Sequence, residues 1–422
     1  MHLIIFSSVL TPRIKYIFNF IFKEILRAEI EFTGNSQYFL QSQHVKISYG
    51  EQPLGDEIFF KSTSILFSNK VIELNIKTIP FGEYQVPFPV ESSALPFDVF
   101  AASFFMVTRY EEYLHQQKND GEFKAISSYQ YKWKVLDRPI IDEWALLIKN
   151  IIRKKHPTVN FADRNFSSQP CINFSITPSA PEGFLRKTRF LFSTVFSKEN
   201  SYLSSKFDQL TGFGINNETA LTALETIIEK QKIRPVFFIN FPKVAIEYIQ
   251  ENGVSQMLTN KSVGLLRPCA SDKEKINEIK DGIFKLKKIL PNQINLSSQQ
   301  LETLKFPICY LNLLNSGITT DYSMGYPEVS GFRAGTCTPF NWYDLQLEKV
   351  TALLVKSYCL NDSVLQNMSL DDIKKTLKDY IDGVKFVNGQ FLSNWELRSI
   401  SNHLKYKKLQ AAFNEMISYA GD

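Results

Sequence analysis

Histidine is scarce in this chain, with five in 422 residues, and from Ser168 to Asp422 the only one is His403. A metal site held by histidine, with a separate histidine to move protons, cannot be built there from one imidazole. Cysteine is equally sparse: Cys171, Cys269, Cys309, Cys337 and Cys359 are scattered, odd in number and without a Cys-x-x-Cys pair. That pattern excludes a zinc-finger framework and a disulfide scaffold, and it suits a reducing, cytoplasmic setting. No Lys/Arg block reaches the length of a nucleic-acid arm and the net charge is only +5, so nucleic acid is not an expected partner. No uninterrupted apolar run is long enough to span a bilayer. The one place for a secretion signal, residues 3–10, has only Met1-His2 ahead of it, where a basic stretch is needed.

What is present is an ordinary globular composition, 44% hydrophobic and 22% charged, with 35 Phe and 18 Tyr, most of them expected in cores. The length exceeds what one core organises. The expected division is an α+β domain over 1–157, a polar linker over 158–169, and a second domain over 170–422. In the first part, apolar residues from Ile14 to Leu26 share one helical face, and residues 30–86 read as short strands and turns. Two helices follow, one with Asp98 as N-cap and one from Pro139 that ends in the basic turn Arg153, Lys154, Lys155. His156-Pro157 stops the second.

Beyond the linker, strand-like and helix-like pieces alternate, the mark of β/α architecture. Residues 171–176, 234–241 and 262–266 read as strands, and residues 218–230 and 273–290 as helices. Later come a strand at 353–360, a helix opened by the capping box Ser369 to Asp372, a last strand over 383–395 and a final helix over 404–419.

Residues 317–345, GITTDYSMGYPEVSGFRAGTCTPFNWYDL, hold the unusual composition: Gly, Pro and aromatics with Asp321, Arg333 and Asp344, and no sustained helical or strand period. Such a run belongs at the mouth of a scaffold or is a long connection stiffened by turns.

This run, with GFRAGTCTPF (331–340) at its centre, resembles the signature loop of a polysaccharide deacetylase-like family whose members carry an extra domain ahead of a distorted β/α barrel. PFDVFAASFFMVTRYEEYL (96–114) and RPIIDEWALLIKNII (138–152) resemble the preceding domain of that family. The resemblance implies a divalent metal held by His and Asp at the C-terminal strand ends, polarising an acetyl carbonyl and activating water. This chain departs from that pattern at each strand end. The acidic pair after the first strand is replaced by Ser175 and Thr177, and the His before Pro268 by Arg267. A further His aligns with Gln300, and the Trp-His of the last strand reads Trp395-Glu396. The ordinary metal mechanism is therefore expected to be absent, with no cofactor.

In the resembling loop, Arg333 matches the family's arginine and either holds a ligand carboxylate or pairs with Asp321 or Asp344. Thr336 and Thr338 either contact ligand or cap the turn before Pro339. Trp342, Tyr343, Tyr322 and Trp395 either pack in the core or form a platform for sugar rings, which have an apolar face and a polar rim. The expected role is a non-catalytic protein of surface-polysaccharide metabolism that binds a glycan, a glycan precursor or a partner protein. Its alternative is an active N- or O-deacetylase with a rearranged site built on Glu396, Asp321 and Arg333, with a divalent metal. A third possibility is an interaction platform with no ligand of its own.

Overall fold

The computed structural model describes residues 2–118, 123–175, 217–240, 254–266, 276–299 and 304–421. The chain opens with strand β1 (His2–Phe6), whose core is the apolar run LIIF. An apolar run of that length serves a central strand, and β1 pairs in parallel with β2 (Glu29–Thr33) on one side and β3 (Val45–Gly50) on the other. With β4 (Ile58–Lys61) the order is β2-β1-β3-β4, parallel throughout, where an α+β arrangement was expected. Parallel strands need long crossovers, and the helix Pro12–Asn19 supplies the first, continuing as a π-helix over Phe20–Ile25. A small hairpin, β5 (Thr78–Phe81) with β6 (Tyr84–Pro87), follows.

The helix Val99–Val107 is buried at every position. Asp98 caps it as the sequence indicated, its carboxylate accepting from the Ala101 amide at 3.0 Å. The helix Ile140–Lys155 ends in Arg153, Lys154 and Lys155. The expected linker is partly strand, because β7 (Ser167–Ser175) begins within it.

The second sheet has nine strands in the order β12-β13-β11-β10-β9-β8-β7-β15-β14. They are β7, β8 (Val236–Asn240), β9 (Ser262–Leu266), β10 (Leu296–Ser298), β11 (Thr320–Met324), β12 (Phe340–Asp344), β13 (Lys349–Ser357), β14 (Leu360–Asn361) and β15 (Gln390–Glu396). All neighbours are parallel except the pair β12 and β13. One connection shows how the sheet curls. Only Tyr358 and Cys359 separate β13 from β14, a gap of at most about 11 Å, yet β13 pairs with β11 and β14 with β15, at opposite ends of the parallel run. Both pairings hold only if the sheet bends round on itself like a barrel. The expected strand over 353–360 is thus two strands joined at a bend.

Two further expectations shift. Residues 317–345 are not wholly irregular: β11 and β12 occupy the ends, and β11 shows no alternation because it is buried on both faces. The helix Leu370–Phe386 runs through Gly383, so the last strand starts only at Gln390. Its cap is as expected, with the Ser369 hydroxyl accepting from the Asp372 amide at 3.2 Å. No helix among the described residues is long and apolar enough to cross a membrane.

Candidate functional site

The registers decide which side chains look into the curl. Glu396 aligns with Asn173 on β7, Asn173 with Phe238 on β8, and Asn394 with Cys171, so these share a face. Phe238 meets Tyr322 of β11 with ring centroids 5.2 Å apart, skipping β9 and β10. Such a contact is made only across the concave side. Lys356 of β13 joins them, its ammonium 5.2 Å from the Tyr322 ring centroid. The concave face therefore carries Glu396, Asn394, Cys171, Asn173, Tyr322 and Lys356. Neither Lys356, Asn173 nor Asn394 stood out in the sequence. The available signal was polar residues inside otherwise apolar strands.

Two features of this face bear on what it could hold. The side-chain oxygens of Asn173 and Asn394 are buried with no hydrogen-bond partner among the described residues, a costly arrangement unless something else meets them. Lys356 forms no ion pair among the described residues, and burial lowers its ammonium pKa, an effect the nearby Cys171 partly opposes. Burial in turn pushes the Cys171 thiol up to about 12, so it is not a nucleophile.

Glu396 is half-buried at the end of β15, its amide donating to Asp362 at 2.8 Å. Asp321, its expected companion, points the other way. It aligns with Ser297 of β10, on the convex face, and is buried where it accepts hydrogen bonds from the Ser297 and Ser323 hydroxyls, each at 2.7 Å. Burial raises its carboxyl pKa, and these bonds only partly offset the rise. The sequence expectation placed Asp321 and Glu396 in one site; a one-residue offset in the pleat puts them on opposite faces. Trp395 is likewise convex, edge-on to Phe413 at 5.1 Å, and Trp342 packs on Tyr310 at 5.3 Å. Among the described residues Trp342, Trp395 and Tyr322 are buried in separate contacts and form no common platform. Thr177, Arg267 and Gln300 lie outside the described residues, as does the Ser175 side chain.

The loop that carries the resemblance is sealed rather than open. Arg333 is buried and pairs with neither Asp321 nor Asp344. Its Nε and Nη2 donate to the two oxygens of Glu112 at 2.9 and 2.6 Å, and Nη1 donates to the Gly325 carbonyl at 3.0 Å. Arg109 shares Glu112 at 2.7 Å and also donates to Glu111 at 3.1 Å, the Tyr326 hydroxyl at 3.0 Å, Gln130 at 2.6 Å and the Arg333 carbonyl. Two arginines thus balance two glutamates with no net charge. Burial by itself raises Glu112, but Arg333 and Arg109 outweigh it and hold the carboxyl below its usual range.

One turn further on, the Thr336 hydroxyl donates to Asp142 Oδ2 at 2.6 Å, the Cys337 amide to the same oxygen at 3.1 Å, and the Thr338 hydroxyl to Oδ1. Asp344 instead closes its own turn, accepting from the Gln346 amide at 2.8 Å. Gly331 permits the approach. A Cβ there would stand 2.9 Å from the Leu136 carbonyl and 2.7 Å from its Cγ. The three stretches that carry the resemblance, 96–114, 138–152 and 331–340, are therefore three sides of one buried contact.

A cleft of about 730 Å³ opens beside this contact, bounded by Asp137, Arg138, Glu328, Asp379, Tyr380 and Phe386 among others. Phe386 is 71% exposed. Its helix buries Ile373, Leu377, Ile381 and Val384, and Phe386 falls off that stripe, a signal legible in the sequence.

Comparison with known proteins yields few matches. A model described as "Family of unknown function (DUF7033)" matches residues 3–157. No curated protein matches the chain. Among solved structures, one named as a polysaccharide deacetylase from Mycobacterium smegmatis is 11% identical, with a TM-score of 0.40, over 62% of this chain and 86% of that one. The peptidoglycan deacetylase PdaC from Bacillus subtilis is 13% identical, with a TM-score of 0.28, over 61% of this chain and 84% of that one.

Proposed function

We propose that this chain is a deacetylase-like protein of surface-polysaccharide metabolism, working in the cytoplasm, that binds a glycan or glycan precursor in its curled sheet without hydrolysing it. On this reading residues 1–157 form a supporting domain and residues 170–422 a barrel. The observation that carries the reading is the state of the resembling loop. Arg333 is taken up by Glu112, and Thr336 and Thr338 by Asp142, so the loop braces the chain internally instead of reaching a substrate.

On this reading the concave face supplies hydrogen-bonding groups to the ligand. Asn173 and Asn394 offer unmet carbonyl oxygens to sugar hydroxyls, Lys356 a cation and Tyr322 a ring. The single histidine after Ser168, His403, lies past β15, where its Nδ1 accepts from the Lys405 amide at 3.2 Å. The test pairs two measurements on the full chain. Acetate release from acetylated glycans and from a chromogenic acetyl ester is expected to be nil. Calorimetric titration with a glycan panel is expected to find a binder whose affinity falls about tenfold or more in Asn173→Ala or Lys356→Met. Acetate release that is lost in Glu396→Gln would reject the reading in favour of an active deacetylase.

A further inference from the structure

Two of the five histidines meet on the four-stranded sheet, outside the barrel. Register puts Glu29 of β2 beside His2 of β1, and sets Leu3 opposite Val45 of β3, so His44, one residue before Val45, lies in line with His2. The two imidazole centroids are 4.7 Å apart at 49°. Nε2 of His2 lies 3.8 Å from Glu31 Oε2, while Nδ1 faces Glu29 Oε2 at 3.5 Å. One donor atom from each of His2, Glu31 and His44 falls within 4.8 Å of the other two.

We propose that His2, His44 and Glu31 form a binding site for a divalent transition metal, Zn²⁺ in the first instance, that clips together β1, β2 and the start of β3. Two imidazoles and a carboxylate are a donor set that zinc accepts, with water completing the tetrahedron. Ligand bonds of about 2.0–2.2 Å hold donors about 3.4 Å apart, so closing the site asks these solvent-facing side chains to move by little more than an ångström. The outer contacts are already placed. Glu29 faces the nitrogen of His2 that the metal would leave free, and the Tyr38 hydroxyl donates to Glu31 Oε1 at 3.0 Å, leaving Oε2 for the ion. Carboxylates and hydroxyls in these positions orient metal ligands. The alternative is a surface His–Glu cluster with no ion, and the two readings separate cleanly.

The full-length chain, stripped with chelator, is titrated with Zn²⁺ against a chromophoric chelator. One equivalent is expected to bind. His44→Ala and Glu31→Gln each weaken it by about tenfold or more, and His403→Ala leaves it unchanged. Zn²⁺ raises the melting temperature of the wild type and not of His44→Ala. His44 is exposed, so its removal leaves the fold intact, which circular dichroism verifies. No bound Zn²⁺ in the wild type, or equal affinity in His44→Ala, overturns the site. Neither result bears on the barrel reading, which is judged by acetate release and glycan binding.

Discussion

Arg333 grips Glu112 through two parallel hydrogen bonds of 2.9 and 2.6 Å between residues 221 apart in sequence. Both side chains are buried, and Arg109 shares the same carboxylate. Removing one member of such a group strands a charge away from water, which costs more than the pair itself contributes.

The first prediction follows from that asymmetry. Arg333→Leu and Glu112→Gln are each expected to destabilise the chain by about 3–5 kcal/mol, measured by urea unfolding. The double variant is expected to cost less than the sum of the two, because the charges leave together. Additive single effects would show that the pair is not coupled.

The second concerns acid. Glu112 titrates below its ordinary value in the folded state. The stability it contributes is therefore fully present above the unfolded glutamate pKa of about 4.3, and is lost as pH falls through the lower folded value. Asp321 is shifted upward by burial, so its ionisation penalises the fold above its folded pKa, and the penalty lifts as pH drops through that value. Glu112→Gln should flatten the acid limb of the stability curve, and Asp321→Asn the slope just above it. Unchanged limbs would mean that other carboxylates govern both.

A third prediction uses Cys337 as a reporter. Its thiol is buried, and burial together with the nearby Asp142 carboxylate pushes its pKa well up, so in the wild type it should resist alkylation, as mapped by mass spectrometry. Asp142→Ala frees the Thr336 and Thr338 hydroxyls and the Cys337 amide from their shared acceptor. Alkylation of Cys337 is then expected to accelerate about tenfold or more, for a loss of about 2–3 kcal/mol. If the rate does not change, Asp142 does not hold the loop.

A fourth contrasts an exposed site with a tightly packed one. Phe386→Ser removes an exposed ring and is expected to shift stability by no more than about 0.5 kcal/mol. Gly331→Ala drives a methyl group into Leu136 and is expected to cost about 1–3 kcal/mol. Thermal unfolding of the two variants compares them directly. A Gly331→Ala protein as stable as the wild type would show that the loop does not press against Leu136.

Local chemistry legible in the sequence includes the Asp98 and Ser369 caps, the amphipathic helices over 217–231 and 370–386, the alternation of strands and helices, and the shortage of histidine. These depend on neighbours within a few residues, and the chain carries them wherever it folds. The destination of each side chain was decided only in three dimensions. Arg333 found Glu112 rather than the nearer Asp321 or Asp344, Thr336 and Thr338 found Asp142, and the pleat turned Asp321 and Glu396 to opposite faces. Pairing across some two hundred residues depends on how strands register and how helices dock, and a one-residue slip reverses every side chain. Composition counts the arginines and carboxylates; only packing assigns them to one another.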